Sequence, residues 1–468
     1  MLRRNLLLVA AVLAIPIVVV FVAIRLSALG GGGKSSVVVR LAGPNVDVTR
    51  APGPQSEAAI AVDPDDPRVL IAGSNDVSSP RMRAYTSTDG GSSWRSEQLP
   101  RPSGTCGASD PSVAIDRRGR EYFGFLGVRC RGFRKIGVYV TVRGGPRGSW
   151  RVSRLPVARL RRLDLGDDRP QLTIDLSSSS PYHGSLYVGW TRFSFAPPRS
   201  VVAKALVSRS DDAGLTWTRP TTLSTRGSPI EVRLATGPQG RVYATWRDAK
   251  TDAIYVSRSY DGATSFLPQQ FVAGAVVPRG RRCRGFLSRL PAQPVRCVSP
   301  NPVVSVDTSD GKRSGRVYVT YMSTALDQSQ DVYVAAYDAD LHALLGVGRL
   351  KRVNPDDGEA VRDQFLPASA VDPESGRLWV CYYASGLGRR RRQAWYTCTT
   401  SRDGGRTWAR PLRVATAPSD ETVRQANRTN GFGDYEGVAA ANGVAHAIWT
   451  DGRLLPARRE EIFAARLR

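Results

Sequence analysis

The sequence predicts an all-β fold, a β-propeller of about seven four-stranded blades with six as the alternative count, preceded by one N-terminal hydrophobic helix. Three observations predict it. A two-strand pattern recurs seven times, a short Ser-x-Asp turn frame occurs four times, and one long apolar run stands near the N-terminus.

The apolar run comes first. Residues 6–24 are uninterrupted by charge, close to the ~20 residues a helix needs to cross a bilayer. Arg3 and Arg4 precede it, which orients the N-terminus toward the cytoplasm and the body outside. A cleaved signal peptide is the alternative, but Ser27-Ala28-Leu29-Gly30 is a poor cut site, so a retained anchor is expected. With the glycines that follow it forms a segment 1–33, and 34–468 is the propeller, at the cell membrane or secreted if the segment is cut.

The two-strand pattern is an apolar strand ending in Asp or a turn, then a strand rich in Tyr, Val and Trp. It occupies 57–73, 110–127, 168–190, 231–246, 301–321, 365–383 and 434–449, a spacing that suits one blade per copy. The last copy has room for only three strands before the chain stops. Residues 37–41 or 46–49, left over before the first copy, are expected to supply the fourth strand and cover the open edge.

The turn frame is Ser-x-Asp-x-Gly-x-Thr/Ser-aromatic. It appears at Ser87 to Trp94, Ser210 to Trp217, Ser259 to Phe266 and Ser401 to Trp408, with Ala263 in place of the glycine in the third copy. A carboxylate two residues after a serine can collect the turn's own N–H groups, and the glycine serves a positive φ.

Six cysteines, an even number in an exported chain, read as disulfides. Sequence neighbours suggest Cys106 with Cys130, Cys283 with Cys297, and Cys381 with Cys398, among the fifteen possible pairings. Three scattered histidines give no metal-ligand spacing, and no cofactor is indicated. The turn Asp63-Pro64-Asp65-Asp66 reads as a surface turn before it reads as a Ca²⁺ loop.

The formal charge of +25 comes from arginines spread along the whole chain, without a nucleic-acid motif, so nucleic acid is not an expected partner. A glycan or anionic cell-surface polymer is expected instead, with the chain acting as a monomer; the run Arg389 to Arg392 is its best single basic site.

The four turn frames resemble the Asp box of sialidases and related propellers (BNR repeats). The resemblance implies a fold and hairpins, with the boxes away from the active face. It also implies roles to look for: a Tyr nucleophile activated by a Glu, an Asp acid/base, and arginines clamping a substrate carboxylate. Glu231 and Arg247 open and close the first two strands of the fourth copy as the family's Glu and one clamp arginine do. Tyr435 enters the last copy where the nucleophile would, beside Asp434. Asp76 is the acid/base candidate, and Arg389, in its four-arginine run, a second clamp residue. The family's first clamp arginine has no counterpart, since Glu57 stands there and Arg50 or Arg83 would have to substitute.

Acids also begin several inner strands, namely Glu57, Asp110, Asp168, Glu231 and Asp434, and a ring of them around the channel is expected. The functional expectation is an extracytoplasmic glycoside hydrolase similar to exo-sialidases. The alternatives are a non-catalytic glycan- or protein-binding propeller and a hydrolase or lyase of another sugar that uses the acid ring.

Overall fold

The computed structural model describes residues 38–130, 135–152, 156–161, 164–196, 200–224, 226–274, 283, 288–325, 328–346, 351–354 and 362–468. The expected N-terminal helix lies outside them. Among the described residues no helix is long and apolar enough to cross a membrane.

Among the same residues the chain forms seven antiparallel blades. Their innermost strands are Gln55–Val62, Thr105–Ile115, Asp164–Ile174, Pro229–Thr236, Val303–Val306, Gln364–Val371 and Gly437–Ala441. Five blades are separate four-stranded sheets. Blades 2 and 3 are joined into one seven-stranded sheet by a single parallel pair, Ile136 with Gly166. The fourth strand of blade 2 is reduced to the bridge between Val142 and Arg151.

The ring closes as expected. Val46–Asp47 pairs antiparallel with the C-terminal strand Glu461–Leu467, and Leu41 adds a bridge to Leu467. The first and last described strands therefore share blade 7, and its outer edge is covered.

Alternation places large residues of the second strands between blades. Trp190, Trp246, Trp379 and Trp449 are fully buried, and Tyr396 stacks on Trp449 at 5.3 Å. Each such ring buries on the order of 200 Å², roughly 5 kcal/mol of gross hydrophobic stabilisation before conformational entropy is subtracted.

The four Ser-x-Asp turns share one geometry. In the first, Ser87 Oγ donates to Asp89 at 2.8 Å and accepts from Gly91 N at 2.9 Å, while the N–H groups of Ser92 and Ser93 converge on the carboxylate at 3.0 and 2.9 Å. Asp212, Asp261 and Asp403 repeat it, each accepting from the Thr or Ser hydroxyl four residues on at 2.6 Å. Partial burial would raise these carboxyls, but the donors win and hold all four below the ordinary range. Ala263 takes the glycine position at φ +65°. Ser87 pairs with Leu70 while Asn75 pairs with Ser56, so the turn sits at the opposite end of its blade from the start of the inner strand.

All three suggested disulfides form. Cys381 and Cys398 face each other directly across the second and third strands of blade 6. Asp63 turns out to cap its own turn, accepting from the N–H groups of Asp65 and Asp66 at 2.9 and 3.1 Å.

Candidate active site at the channel mouth

Five of the seven inner strands enter the propeller through the same irregularity. In blades 1, 2, 3, 4 and 6 two residues oppose one on the second strand, a β-bulge. The first bulged residue adopts a positive φ: Glu57 +61°, Asp110 +60°, Arg169 +49°, Glu231 +61° and Leu366 +50°, with Asn301 of blade 5 at +36°. Tyr435 holds the same place in blade 7, two residues ahead of Gly437, the first paired residue. Bulged N–H groups are taken up by the preceding blade: Asp110 N donates to Asn75 Oδ1 at 2.8 Å, Arg169 N to Asp110 Oδ2 at 3.1 Å and Glu231 N to Thr191 Oγ1 at 3.2 Å.

The expected acid ring thus exists with one correction. Blade 3 presents Arg169, not Asp168, at the ring position, because the bulge falls one residue later than the acid. Asp168 stands beside it, half-buried. An arginine in a ring of acids changes the site's character, since it links carboxylates that would otherwise repel.

A continuous chain of ion pairs results. Arg247 makes a two-pronged contact with Glu231, both at 3.1 Å, and holds Asp252 at 2.7 Å. Arg169 lies 3.2 Å from Glu231 and 3.0 Å from Asp434. Arg296 grips Asp434 at 2.9 and 2.6 Å and reaches Glu57 at 2.7 Å. Ser299 adds a short hydrogen bond to Glu231. Arg296 and Ser299 come from the insertion stapled by Cys283 and Cys297, so that insertion completes the mouth.

The carboxyls divide into two groups. Burial would raise Glu231 and Asp434, but the arginine charges overcome it, Arg247 and Arg169 at Glu231 and Arg169 and Arg296 at Asp434; both sit at about 2. Glu57, Asp110 and Asp168 go the other way. Burial is the main cause, and neighbouring carboxylates add to it, bringing Glu57 to about 7 and Asp110 and Asp168 to about 6. Asp168 is the strongest charge acting on Asp110.

Below this ring the channel is lined by the next inward row, including Ala59, Ser112, Gln171, Arg233, Val303, Ala368 and Gly437, around a cavity of about 140 Å³. Tyr435 closes its top. The phenol donates to the carbonyl of Pro111 at 3.2 Å, spanning from blade 7 to blade 2, and Arg233 packs over the ring at 4.8 Å. Burial, with repulsion from Arg169, lowers Arg233 to about 10.

The six residues singled out in the sequence have different fates. Glu231, Arg247 and Asp434 come together in the ion-pair chain. Arg247 spends its guanidinium on Glu231 and Asp252 and is 1% exposed, so it is a strut inside the protein. Tyr435 reaches the channel, but its hydroxyl is directed to Pro111 and not to Glu231, and burial and nearby acids push it well above its ordinary value. Asp76 is occupied by Arg83 at 2.7 Å and by Gln98 at 3.3 Å, outside the ring. Arg389 lies on the exposed turn Gly388–Arg392, where its neighbour Arg391 pairs with Asp363 at 2.6 Å.

A Tyr–Glu pair does occur, between Tyr383 and Glu436 at 2.7 Å, but Tyr383 is wholly buried among Phe365, Tyr396 and Phe432. Arg169, Arg233 and Arg296 went unnoticed in the sequence. Arg169-Pro170 shares an X-Pro frame with Asp110-Pro111, Asn301-Pro302 and Leu366-Pro367, which would have aligned it with the ring. Among the described residues no group of three His, Cys, Asp or Glu side chains is placed to hold a metal ion.

No protein-family model and no curated protein matches the chain. Solved structures do. A protein of unknown function from Dyadobacter fermentans is 15% identical with a TM-score of 0.47, covering 77% of this chain and 98% of that one. A Penicillium chrysogenum α-L-arabinanase solved with arabinobiose is 11% identical with a TM-score of 0.43, covering 90% and 97%. A Hadza microbial sialidase is 13% identical with a TM-score of 0.42, covering 85% and 73%. These are likenesses too distant to bear on activity.

Proposed function

We propose that the protein is an extracytoplasmic glycoside hydrolase acting on exposed glycans, with its site at the channel mouth. The observation that carries this is that Asp110 and Asp168, both half-buried, are raised to about 6, chiefly by burial, with Asp168 adding to the rise of Asp110, beside Glu231 and Asp434 held ionised. Around pH 6 each of the two carboxyls is present in both its protonated and its ionised form. Asp168 then donates to the glycosidic oxygen while Asp110, as carboxylate, takes the proton of the attacking water. The charge of Arg169 favours the ionised form of both acids. The exo-sialidase mechanism draws less support, because Tyr435 caps the channel and Arg247 is spent internally. The three disulfides suit an oxidising compartment, and a membrane anchor in residues 1–33 would hold the propeller there.

The test is release of reducing ends from a panel of polysaccharides across pH 4–9. Expected are a bell-shaped profile centred near 6 and a loss of about 10²–10⁴-fold in Asp168→Asn and in Asp110→Asn. Turnover unchanged in both variants refutes the assignment. One observation favours a non-catalytic glycan-binding propeller instead: Arg169, Arg247 and Arg296 are all paired internally. Binding without turnover on any substrate would select it.

A further inference from the structure

Blade 3 is taller than blade 4 at the mouth end. Its inner strand Asp164–Ile174 and second strand Leu186–Ala196 each run 11 residues, against 8 and 7 in blade 4. Asp164 pairs with Ser194 there, so the extension rises on the same side as Asp168. Successive residues divide its two sides. Asp168 feels the mouth acids Asp434, Glu57 and Glu231, whereas Asp167 is gripped by Arg192 at 2.6 and 2.9 Å.

On the Arg192 side the extension and residues 158–161 enclose a cleft of about 470 Å³. Arg159, Arg161, Arg192, Lys204 and Arg219 line it, against one carboxylate, Asp164. Asp164 is engaged already, accepting from Ser194 Oγ at 2.8 Å and from Arg161 N at 2.7 Å. Arg159, Arg161, Lys204 and Arg219 are exposed and have no acidic partner among the described residues. Four cations that gain nothing from each other converge on one concavity. Together they give the concavity a positive potential that attracts an anion.

We infer that this cleft is a binding subsite for an acidic polysaccharide, one bearing uronate carboxylates or sulfate esters, whose chain extends over the rim of blade 3 from the channel mouth. The inference rests on the glycan reading above and names its substrate class. Guanidinium groups fit carboxylate and sulfate oxygens in pairs. Ser194 and Thr222 offer hydroxyls in the same cleft, and its volume suits one or two sugar rings. Phe195, 49% exposed at the adjoining rim, offers a flat face to a sugar. Phe195 with Val201 and Val202, both also exposed, could equally touch lipid. The cations, however, line a concavity into which a flat bilayer surface does not reach.

The test is calorimetric titration of the full chain at low salt with a sulfated oligosaccharide, an oligogalacturonate and a neutral oligosaccharide of equal length. Inorganic phosphate and vesicles of anionic lipid form two further arms. Variants are Lys204→Glu/Arg219→Glu and, as a charge control on an exposed turn at the opposite end, Arg118→Glu. The inference expects binding of one or both acidic oligosaccharides and none of the neutral one. It also expects at least a tenfold loss in the double variant and little change in Arg118→Glu. Equal losses in both variants, absence of oligosaccharide binding, binding of phosphate alone, or binding of the vesicles in place of the oligosaccharides would each overturn it. Asp168→Asn separates the two readings. Acidic-oligosaccharide binding without any hydrolysis sinks the catalytic proposal and keeps the subsite, whereas hydrolysis indifferent to substrate charge sinks the subsite and keeps the catalysis.

Discussion

Replacing Arg247 with alanine tests the claim that it is a strut and not a substrate clamp. Arg247 is 1% exposed and Glu231 is 6% exposed, and the pair is joined at two points. Removing one partner of a buried ion pair strands the other, which costs about 3–5 kcal/mol. The carboxyl gives an independent figure. Burial alone would raise Glu231, yet Arg247 and then Arg169 bring it from 4.5 to about 2. That drop corresponds to about 3 kcal/mol of preference for the ionised form, shared among Arg247, Arg169 and Ser299 with Arg247 the largest contributor. The pH dependence follows. A carboxyl held low in the folded state stabilises it above pH 4.5 and loses that contribution as pH falls toward 2. Arg247→Ala is therefore most destabilising at neutral pH, and its penalty shrinks below pH 4.5. Urea denaturation of the disulfide-intact protein between pH 2.5 and 8 reads both quantities. A cost under about 1 kcal/mol at pH 7, or a penalty independent of pH, would refute the strut.

Further outcomes follow from the same geometry. Tyr435→Phe removes one hydrogen bond to Pro111, so a loss of about 1 kcal/mol in stability is expected; hydrolysis should survive, and its abolition would restore Tyr435 as nucleophile. Glu57, raised to about 7 by burial, folds most favourably when protonated, so its contribution is present below pH 4.5 and fades as pH rises through 7. Glu57→Gln should flatten the fall in stability across that window in urea denaturation, and an unchanged slope between pH 5 and 7 would refute the raised proton affinity of Glu57. Reduction of the blade 6 bridge by Cys381→Ala/Cys398→Ala, which opens a sequence separation of 17, should cost about 3 kcal/mol in denaturant midpoint measurements without altering glycan binding.

The sequence by itself indicated the propeller, a count of about seven blades with six as the alternative, and closure by one of two segments ahead of the first copy. The reason is that strand alternation, turn chemistry and disulfide neighbours are local: the serine and aspartate of each box meet within four residues, and Cys381 and Cys398 lie on adjacent strands. It also placed acids at the starts of inner strands. It did not place Arg169 in their ring, because a bulge shifts register by one residue and the shift is decided by pairing with the second strand.

Only the tertiary structure decided which charges meet. Arg296 reaches Glu57 across 239 positions of sequence, and Tyr435 reaches Pro111 across 324. Residues with identical local patterns, such as Glu231 and Glu57, acquire opposite proton affinities because Arg247 and Arg169 overcome burial at Glu231, whereas at Glu57 burial, with Asp434 and Asp110, outweighs Arg296. Long-range charge pairing of this kind leaves no period in the sequence, so the fold could be read from the chain while the chemistry of its mouth had to wait for the blades to assemble.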